Sequence, residues 1–526
     1  MKGIYQTLTG ILDDILKERF DTAFPHPLWE PPAKQTFGDY SCMLALKLAS
    51  KMKKNPLELA AELKQALADR VGGEIEKIEV IKPGFVNVFI SPAALKKALQ
   101  DLLREQETFF RGEHASPVLV EFVSANPTGP LSIAHGRQAV VGDVVARILE
   151  LSGYLVQREY YLNDVGRQIE LFGMSVEAAA QNQPVPQDGY HGEYVREIGR
   201  EYAEHAQGES SEVFSVRRMR ERIECDLAQL GVSFHNWTSQ RTLIEEGKVD
   251  AAVAYLRERG LVYEQDEALW FASTRFGDDK DRVIKKQDGR LTYFASDIAY
   301  HRDKCARGFD RLINLWGPDH HGYIPRVKAS IEALGSNPEM LEVLIIQLVS
   351  IKTKERMSRR KGTAILLKEL IDQVGKDAAR FYYLTRRNSS HLEFDIDLAR
   401  EASFNNPLYY IQYACARIES IFEKAGETKW ASGECGALRE PAELDLVRFL
   451  LQFTHCCEKA AHTLEPMFII EYLKALAARF HKFYETHKVL GDDPEVVSAR
   501  LNLIDAARIV LHCGLSLLGI TPAKKM

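Results

Sequence analysis

Apolar positions along the chain follow two periods, and the change from one to the other marks its elements. Residues 118–123, Val-Leu-Val-Glu-Phe-Val, are β-branched and aromatic enough to predict a strand covered on both faces. Asn126-Pro127 and Gly129-Pro130 break that run. From Gly136 onward Val140, Val141, Val144, Val145, Ile148 and Leu149 recur with helical spacing, and Gly153 stands where a C-terminal cap belongs. The first amides of a helix entered through such a turn suit a phosphate anion, the arrangement that doubly wound α/β folds use for nucleotides. Alone, the stretch fits an ordinary βα turn with a buried histidine equally well.

Residues 1–112 alternate helical patterns with one clear strand, 86–90, after the turn Lys82-Pro83-Gly84. From Pro117 to about Leu398 the α/β pattern continues. Residues 181–189, Gln-Asn-Gln-Pro-Val-Pro-Gln-Asp-Gly, interrupt it as a loop, and the mixed region from there to about Ile284 reads as an insertion between two halves of a nucleotide fold. After Phe404 the pattern is almost entirely helical, with a polar break from Gly426 to Pro441, which predicts a closing helix bundle. No internal repeat is present.

Composition narrows the partners. The 526 residues are 45% hydrophobic and 27% charged, a soluble globular balance with room for two to four domains. With 68 basic against 74 acidic residues the net charge is -6, which excludes a uniform electrostatic grip on nucleic acid and leaves only a local patch. Asp13 and Asp14 lie inside the first apolar helix, against a secretory signal. No apolar run nears the roughly 20 residues that span a bilayer, so no membrane partner is expected. The eight cysteines show no Cys-x-x-Cys spacing. His455, Cys456, Cys457 and His462 come nearest to a metal cluster, but they share a helical pattern with Leu450, Leu451 and Phe453, so no metal site and no structural zinc is expected. Unpaired thiols fit a cytoplasmic protein.

A second segment carries candidate chemistry. In residues 352–363, Lys352, Lys354, Arg356, Arg359, Arg360 and Lys361 face the single acid Glu355. Such a run is either a solvated charged face or a clamp on a polyphosphate, where its cations would neutralise charge as pyrophosphate leaves.

The two segments together resemble the signatures of class I aminoacyl-tRNA synthetases, His-x-Gly-His and Lys-Met-Ser-Lys-Ser. Further motifs narrow the resemblance to arginyl-tRNA synthetases of bacterial type: Ser-Ala-Asn-Pro-Thr-Gly-Pro-Leu at 124–131, Tyr-Tyr-Leu-Asn-Asp-Val-Gly-Arg-Gln at 160–168, Trp-Gly-Pro-Asp-His-His-Gly-Tyr at 316–323, Tyr-Tyr-Ile-Gln-Tyr at 409–413, Asp-Ala-Ala-Arg at 505–508 and Gly-Leu-Ser-Leu-Leu-Gly-Ile at 514–520. The resemblance spans nearly the whole chain. It implies an α/β fold with a Rossmann-type nucleotide-binding catalytic domain over 113–400, with an insertion about 181–284. A small α+β N-terminal domain over 1–112 would touch the tRNA elbow, and an α-helical anticodon-binding bundle would fill 401–526. The sequence departs from the signatures in two places. Ser132 stands for the first histidine with Ala134 for the glycine, and Arg356 and Arg359 stand for the two lysines. A neutral hydroxyl donates one hydrogen bond and cannot become a cation. Arg359 keeps the charge in a bulkier, planar group, and Lys361 can share its task.

The activity so implied is ATP-dependent conversion of L-arginine to its adenylate and transfer to the 3′-terminal adenosine of tRNA(Arg), with Mg2+ accompanying ATP, by a monomer. Ser132, His135 and Gly136 with the helix amides would meet the phosphates on one side, and Arg356, Met357, Ser358, Arg359 and Lys361 on the other. Gly317, Asp319 and His320, with His321 beside it, would line the adenosine side. Glu121 and Asn126 match the positions that hold the ammonium and carboxylate of the amino acid, and a buried strand glutamate lacking a partner would be costly, which favours a ligand-facing role. Tyr293 and Asp297 match the side-chain reader. They lie four apart and share one face if the segment is helical, while a helix cap stays open for Asp297. Phe85 and Asn87 match the elbow contact, though a core Phe85 and a strand-edge Asn87 fit as well. Tyr409, Tyr410 and Met526 match the anticodon contact, with a core Tyr410 as the alternative. Two other activities remain: a class I synthetase for another amino acid, and a catalytically impaired tRNA-binding relative.

Overall fold

The computed structural model describes residues 3–24, 27–352, 365–426 and 433–526. It divides into two compact units, one of His114–Glu150 with Tyr154–Arg400, the other of Met1–Glu113, Leu151–Gly153 and Glu401–Met526. The N-terminal region and the helical C-terminal region fall in the same unit.

In the latter unit, β1 (Tyr40–Cys42), β2 (Ile75–Ile81) and β3 (Phe85–Ile90) form an antiparallel sheet with β3 in the middle. Two helices that flank its strands in sequence start at sequence-encoded caps. Asn55 accepts from the Leu57 amide ahead of the helix Pro56–Ala68, and Ser91 from the Ala94 amide ahead of Pro92–Glu105, each with proline in the first turn. Asn406 and Asp493 do the same for the C-terminal helices Pro407–Ala425 and Pro494–Leu517. Polar links join the two ends of the chain within this unit: Arg448 to Asp39 at 2.9 Å, Lys459 to Glu30 at 2.9 Å and His455 to Glu30 at 3.1 Å. His455 is thereby committed to Glu30, and the Cys456 thiol to the Phe468 carbonyl. The central position of β3 corrects one expectation. Asn87 is only 2% exposed and its Oδ1 accepts from the Ser41 hydroxyl at 2.6 Å, so it offers no free surface to RNA, whereas the Phe85 ring is half-exposed.

The other unit is built on five parallel strands, β4 (Pro117–Glu121), β5 (Leu155–Leu162), β6 (Asn236–Ser239), β10 (Arg311–Trp316) and β11 (Leu341–Ile345), in the order β11-β10-β4-β5-β6. Between them in sequence, β7 (Val262–Gln265), β8 (Ala268–Phe271) and β9 (Arg282–Lys285) make a separate antiparallel sheet, and β12 (Val349–Lys352) pairs in parallel with β13 (Leu392–Asp395). The chain builds outward from β4 in one direction and later in the other, so the crevice beyond the C-terminal ends of β4 and β10 is the switch point where open α/β sheets hold ligands. Because β6 belongs to the main sheet, a single insertion over 181–284 does not describe the fold. Helices Arg167–Ala180, Glu193–His205 and Ser211–Gln229 are interposed before β6, and the small sheet after it.

The expected strand–turn–helix is present with a shorter strand. β4 ends at Glu121, and Val123 and Ser124 take φ of 69° and 41°. A β-branched residue in the left-handed region is strained by roughly 1–3 kcal/mol, and here the strain bends the chain around the end of the sheet. The helix Ile133–Leu151 follows and closes at Gly153, whose φ is 95°. Among the described residues no helix is long and apolar enough to cross a membrane.

Candidate active site

Register places polar side chains in a row at the C-terminal edge of the parallel sheet. Glu121 on β4 stands opposite Asn314 on β10 and Glu159 on β5, and Glu159 stands opposite Asn236 on β6. In a buried sheet such groups require partners, and the helix Tyr293–Ala306 supplies them. Lys304, fully buried, donates to a Glu121 oxygen and, at 3.0 Å, to Asn314 Oδ1, with its ammonium 4.3 Å from the Tyr300 ring centroid. Tyr300 Oη lies 2.7 Å from Glu159 and 3.2 Å from Glu121. Arg307 grips both oxygens of Glu159, at 2.5 and 2.8 Å. Burial opposes ionisation of Glu159, but Arg307, Lys304 and Tyr300 more than offset it and hold its carboxyl at about 2. His301 completes the row. Burial and Lys304 push it down to about 3, so the ring is neutral, bonded to the Asp297 carbonyl through Nδ1 and facing Asn314 through Nε2.

Glu121 is therefore not a carboxylate without a partner. Lys304, Tyr300 and the Ser124 hydroxyl, 3.0 Å away, occupy its oxygens, so burial alone gives no argument for a ligand there. The sequence reading missed Tyr300 and Lys304. The available signal was an inward polar stripe: with Asp297 and His301 they fall at i, i+3, i+4 and i+7 of one helix.

A cavity of about 520 Å³ opens at this edge. Glu121, Asn126, His135, Tyr293, Asp297, Gly317, Asp319 and His320 all line it, so the structure brings together most of the described residues singled out from sequence for the active site. His321 is exposed and lies off this wall. Tyr293 and Asp297 are on one helix, as their spacing suggested, and the cap of that helix is Thr292, which removes the capping role for Asp297. Asp297 accepts from Tyr323, and no salt bridge reaches it among the described residues. Burial, with Glu121 adding to it against the Tyr323 bond, pushes its carboxyl up to about 6. Asn126 is exposed and donates to Gln168 at 2.8 Å. Gln240, 4% exposed, also reaches the wall and was not anticipated.

On the phosphate side, the Ser132 amide and hydroxyl both lie 3.2 Å from Nδ1 of His135. An amide only donates, so Nδ1 is the acceptor and the ring proton is assigned to Nε2. Burial lowers the pKa of His135, which makes it a neutral donor on the cavity wall. Two expectations change here. Ser132 is not on the wall and acts on His135. Gly136 faces inward, where an added Cβ would lie 2.5 Å from Leu367 and 2.6 Å from the Tyr383 hydroxyl, so it is glycine for packing. Of the first-turn amides, those of Ile133 and Gly136 are taken by the Ile365 and Ser132 carbonyls, leaving Ala134 and His135 for an anion. Arg356, Met357, Ser358, Arg359 and Lys361 lie outside the described residues.

In the other unit, Tyr409 and Tyr413 stack at 6.3 Å, and the exposed Phe404 touches both and Tyr410. Tyr410 is half-buried against His481 at 4.7 Å, neither core nor free. Arg417 lies 4.6 Å over Tyr413, and the exposed Met526 lines the adjoining groove with Lys524 and Lys525. Aromatic faces next to cations suit unstacked bases.

Comparisons with known proteins agree with this geometry. A family model described as the class I tRNA synthetase (R) catalytic domain matches residues 98–393, one for the arginyl-tRNA synthetase N-terminal domain matches 6–90, and one for the DALR anticodon-binding domain matches 411–526. The arginine–tRNA ligase of Desulfosudis oleivorans is 44% identical over 96% of this chain and 95% of its own. That of Syntrophotalea carbinolica is 42% identical over 99% and 100%. The solved structure of Thermus thermophilus arginyl-tRNA synthetase superposes with a TM-score of 0.82 at 22% identity, covering 99% of this chain and all of that one, a likeness of fold.

Proposed function

The chain belongs to the arginyl-tRNA synthetases, and from that premise we propose that the cavity beyond β4, β5 and β10 holds L-arginine with its guanidinium on Asp297 and Tyr293. The protein is an arginine–tRNA ligase whose substrates are ATP, L-arginine and tRNA. The observation that carries the site assignment is the charge balance: Glu121 is matched by Lys304 and the neighbouring Glu159 by Arg307, so among the described residues Asp297 is the one part-buried cavity carboxylate without a lysine or arginine, Asp319 being exposed to solvent. A planar cation with five donors completes it.

Little covalent chemistry falls to the protein. The arginine carboxylate attacks the α-phosphate, pyrophosphate leaves, and the terminal tRNA hydroxyl then attacks the mixed anhydride, so catalysis rests on positioning and electrostatics. His135 Nε2–H and the Ala134 and His135 amides face the phosphates. Arg356, Arg359 and Lys361 would supply the cations that neutralise charge as pyrophosphate leaves. Mg2+ bound with the nucleotide would supply positive charge to the phosphates, and the exposed Asp319 carboxylate on that wall is the oxygen donor that would face it. Asn126 and Glu121 take the amino-acid end. Phe404, Tyr409, Tyr410, Tyr413 and Met526 form the anticodon surface, and the half-exposed Phe85 the elbow contact. All eight cysteines are free, which supports a cytoplasmic location.

The pH dependence of arginine use tests the assignment. The cation binds the carboxylate, and the free carboxyl ionises at about 6. Arginine KM is expected to be flat above that pH and to rise about tenfold per unit below it, since a proton must then leave before the cation enters. A profile flat down to pH 5 contradicts the role of Asp297. In the empty protein the same raised carboxyl binds its proton more tightly than in the unfolded chain, so its contribution to stability falls as pH rises towards about 6.

The Ser132 hydroxyl contributes one neutral hydrogen bond to His135, in parallel with the Ser132 amide, which survives substitution. Ser132→Ala is expected to slow single-turnover adenylate formation by no more than about tenfold, roughly 1.4 kcal/mol. A loss of a hundredfold or more would return Ser132 to direct phosphate contact.

A further inference from the structure

Tyr161, near the end of β5, and Asn163, just beyond it, present an anomaly. The Tyr161 hydroxyl and the Asn163 side-chain oxygen are inaccessible to solvent, yet neither has a hydrogen-bond partner among the described residues. Buried polar atoms are nearly always satisfied, and one that is not destabilises the protein that carries it. Both residues line the cavity that contains Asp297. They lie two apart in an extended segment, so they share a face. The Tyr161 ring is also fixed, stacked on Tyr300 at 4.3 Å and 19°, and Tyr300 is held by Glu159. Burial, Asp297 and Glu121 all push the Tyr161 hydroxyl pKa upward, so it stays protonated within the field of the cavity carboxylates.

A guanidinium brings five N–H donors in one plane. Asp297 cannot satisfy them all, because one of its oxygens already accepts from Tyr323. We propose that Tyr161 and Asn163 are specificity-determining contacts for the bound amino acid, accepting guanidinium N–H groups beside Asp297. This rests on the assignment of the cavity to L-arginine. Neutral acceptors answer the surplus donors without adding a charge that the empty site would have to bury. The lysine ammonium, with three donors on one tetrahedral nitrogen, serves fewer of these acceptors together with Asp297 than a five-donor guanidinium does, so the pair penalises the commonest competing cation.

The test uses the full chain with Tyr161→Phe, Asn163→Ala and Asn163→Asp, measuring arginine KM and kcat in tRNA aminoacylation and the melting temperature of the ligand-free protein. Tyr161→Phe and Asn163→Ala are each expected to raise arginine KM about tenfold. The melting temperature of Tyr161→Phe should be unchanged or higher, because the change removes a group that the empty protein leaves unsatisfied. Asn163→Asp, which keeps the acceptor, should recover most of the affinity lost in Asn163→Ala. A parental KM in both deletion variants overturns the inference and assigns the two atoms to a bridging water. A lowered melting temperature with parental KM overturns it in favour of a structural role. Failure of the parent to charge arginine at all would instead refute the assignment of the cavity.

Discussion

Replacing Asp297 by asparagine is expected to weaken arginine use by about 2 kcal/mol or more, near thirtyfold in kcat/KM, because a largely desolvated guanidinium loses its charge-assisted partner. Asparagine preserves the shape and can still accept from Tyr323, so the change removes charge and little else. The rise in KM below about pH 6 should vanish with it, since the group that titrates there is gone. Steady-state aminoacylation across pH measures both. Unchanged arginine kinetics in this variant would take Asp297 out of the pocket.

The second large effect is expected at Lys304, which touches no substrate. Lys304→Met removes the ammonium that neutralises Glu121 and leaves a carboxylate buried without its cation. Breaking one side of a buried pair costs about 3–5 kcal/mol, well above the effect of an average substitution. Denaturant unfolding of the ligand-free protein should show it. The double variant Glu121→Gln with Lys304→Met should recover at least half of the loss, because the stranded charge is then gone too. Additive losses would mean that the two groups are not coupled and that the buried row owes its order to something else.

These two residues show what the sequence discloses and what it hides. Tyr293 and Asp297 were legible because a helical spacing of four puts them on one face whatever the rest of the fold does. The turn from β4 into the helix Ile133–Leu151 was legible because proline and glycine break a strand locally. Lys304 was not, since its partner Glu121 lies 183 residues away and meets it only after the sheet has formed. Nor was the burial of Asn87, whose period-2 pattern is that of any half-exposed strand until β1 and β2 cover both edges. β6 is only four residues long, too short to stand out among the helices around it, so it was absorbed into a supposed insertion. Gly136 matched a phosphate-binding pattern, but long-range packing against Leu367 and Tyr383 dictates it. Ser132 was read as a weakened phosphate contact, and the ring it orients became visible only in three dimensions.

The central claim is that this cavity selects arginine and that the chain transfers it to tRNA. Charging of unfractionated tRNA by the purified protein with ATP and each of the twenty labelled amino acids in turn tests it most directly. Arginine alone is expected to become acid-precipitable. Charging with a different amino acid, or with none, would contradict the account.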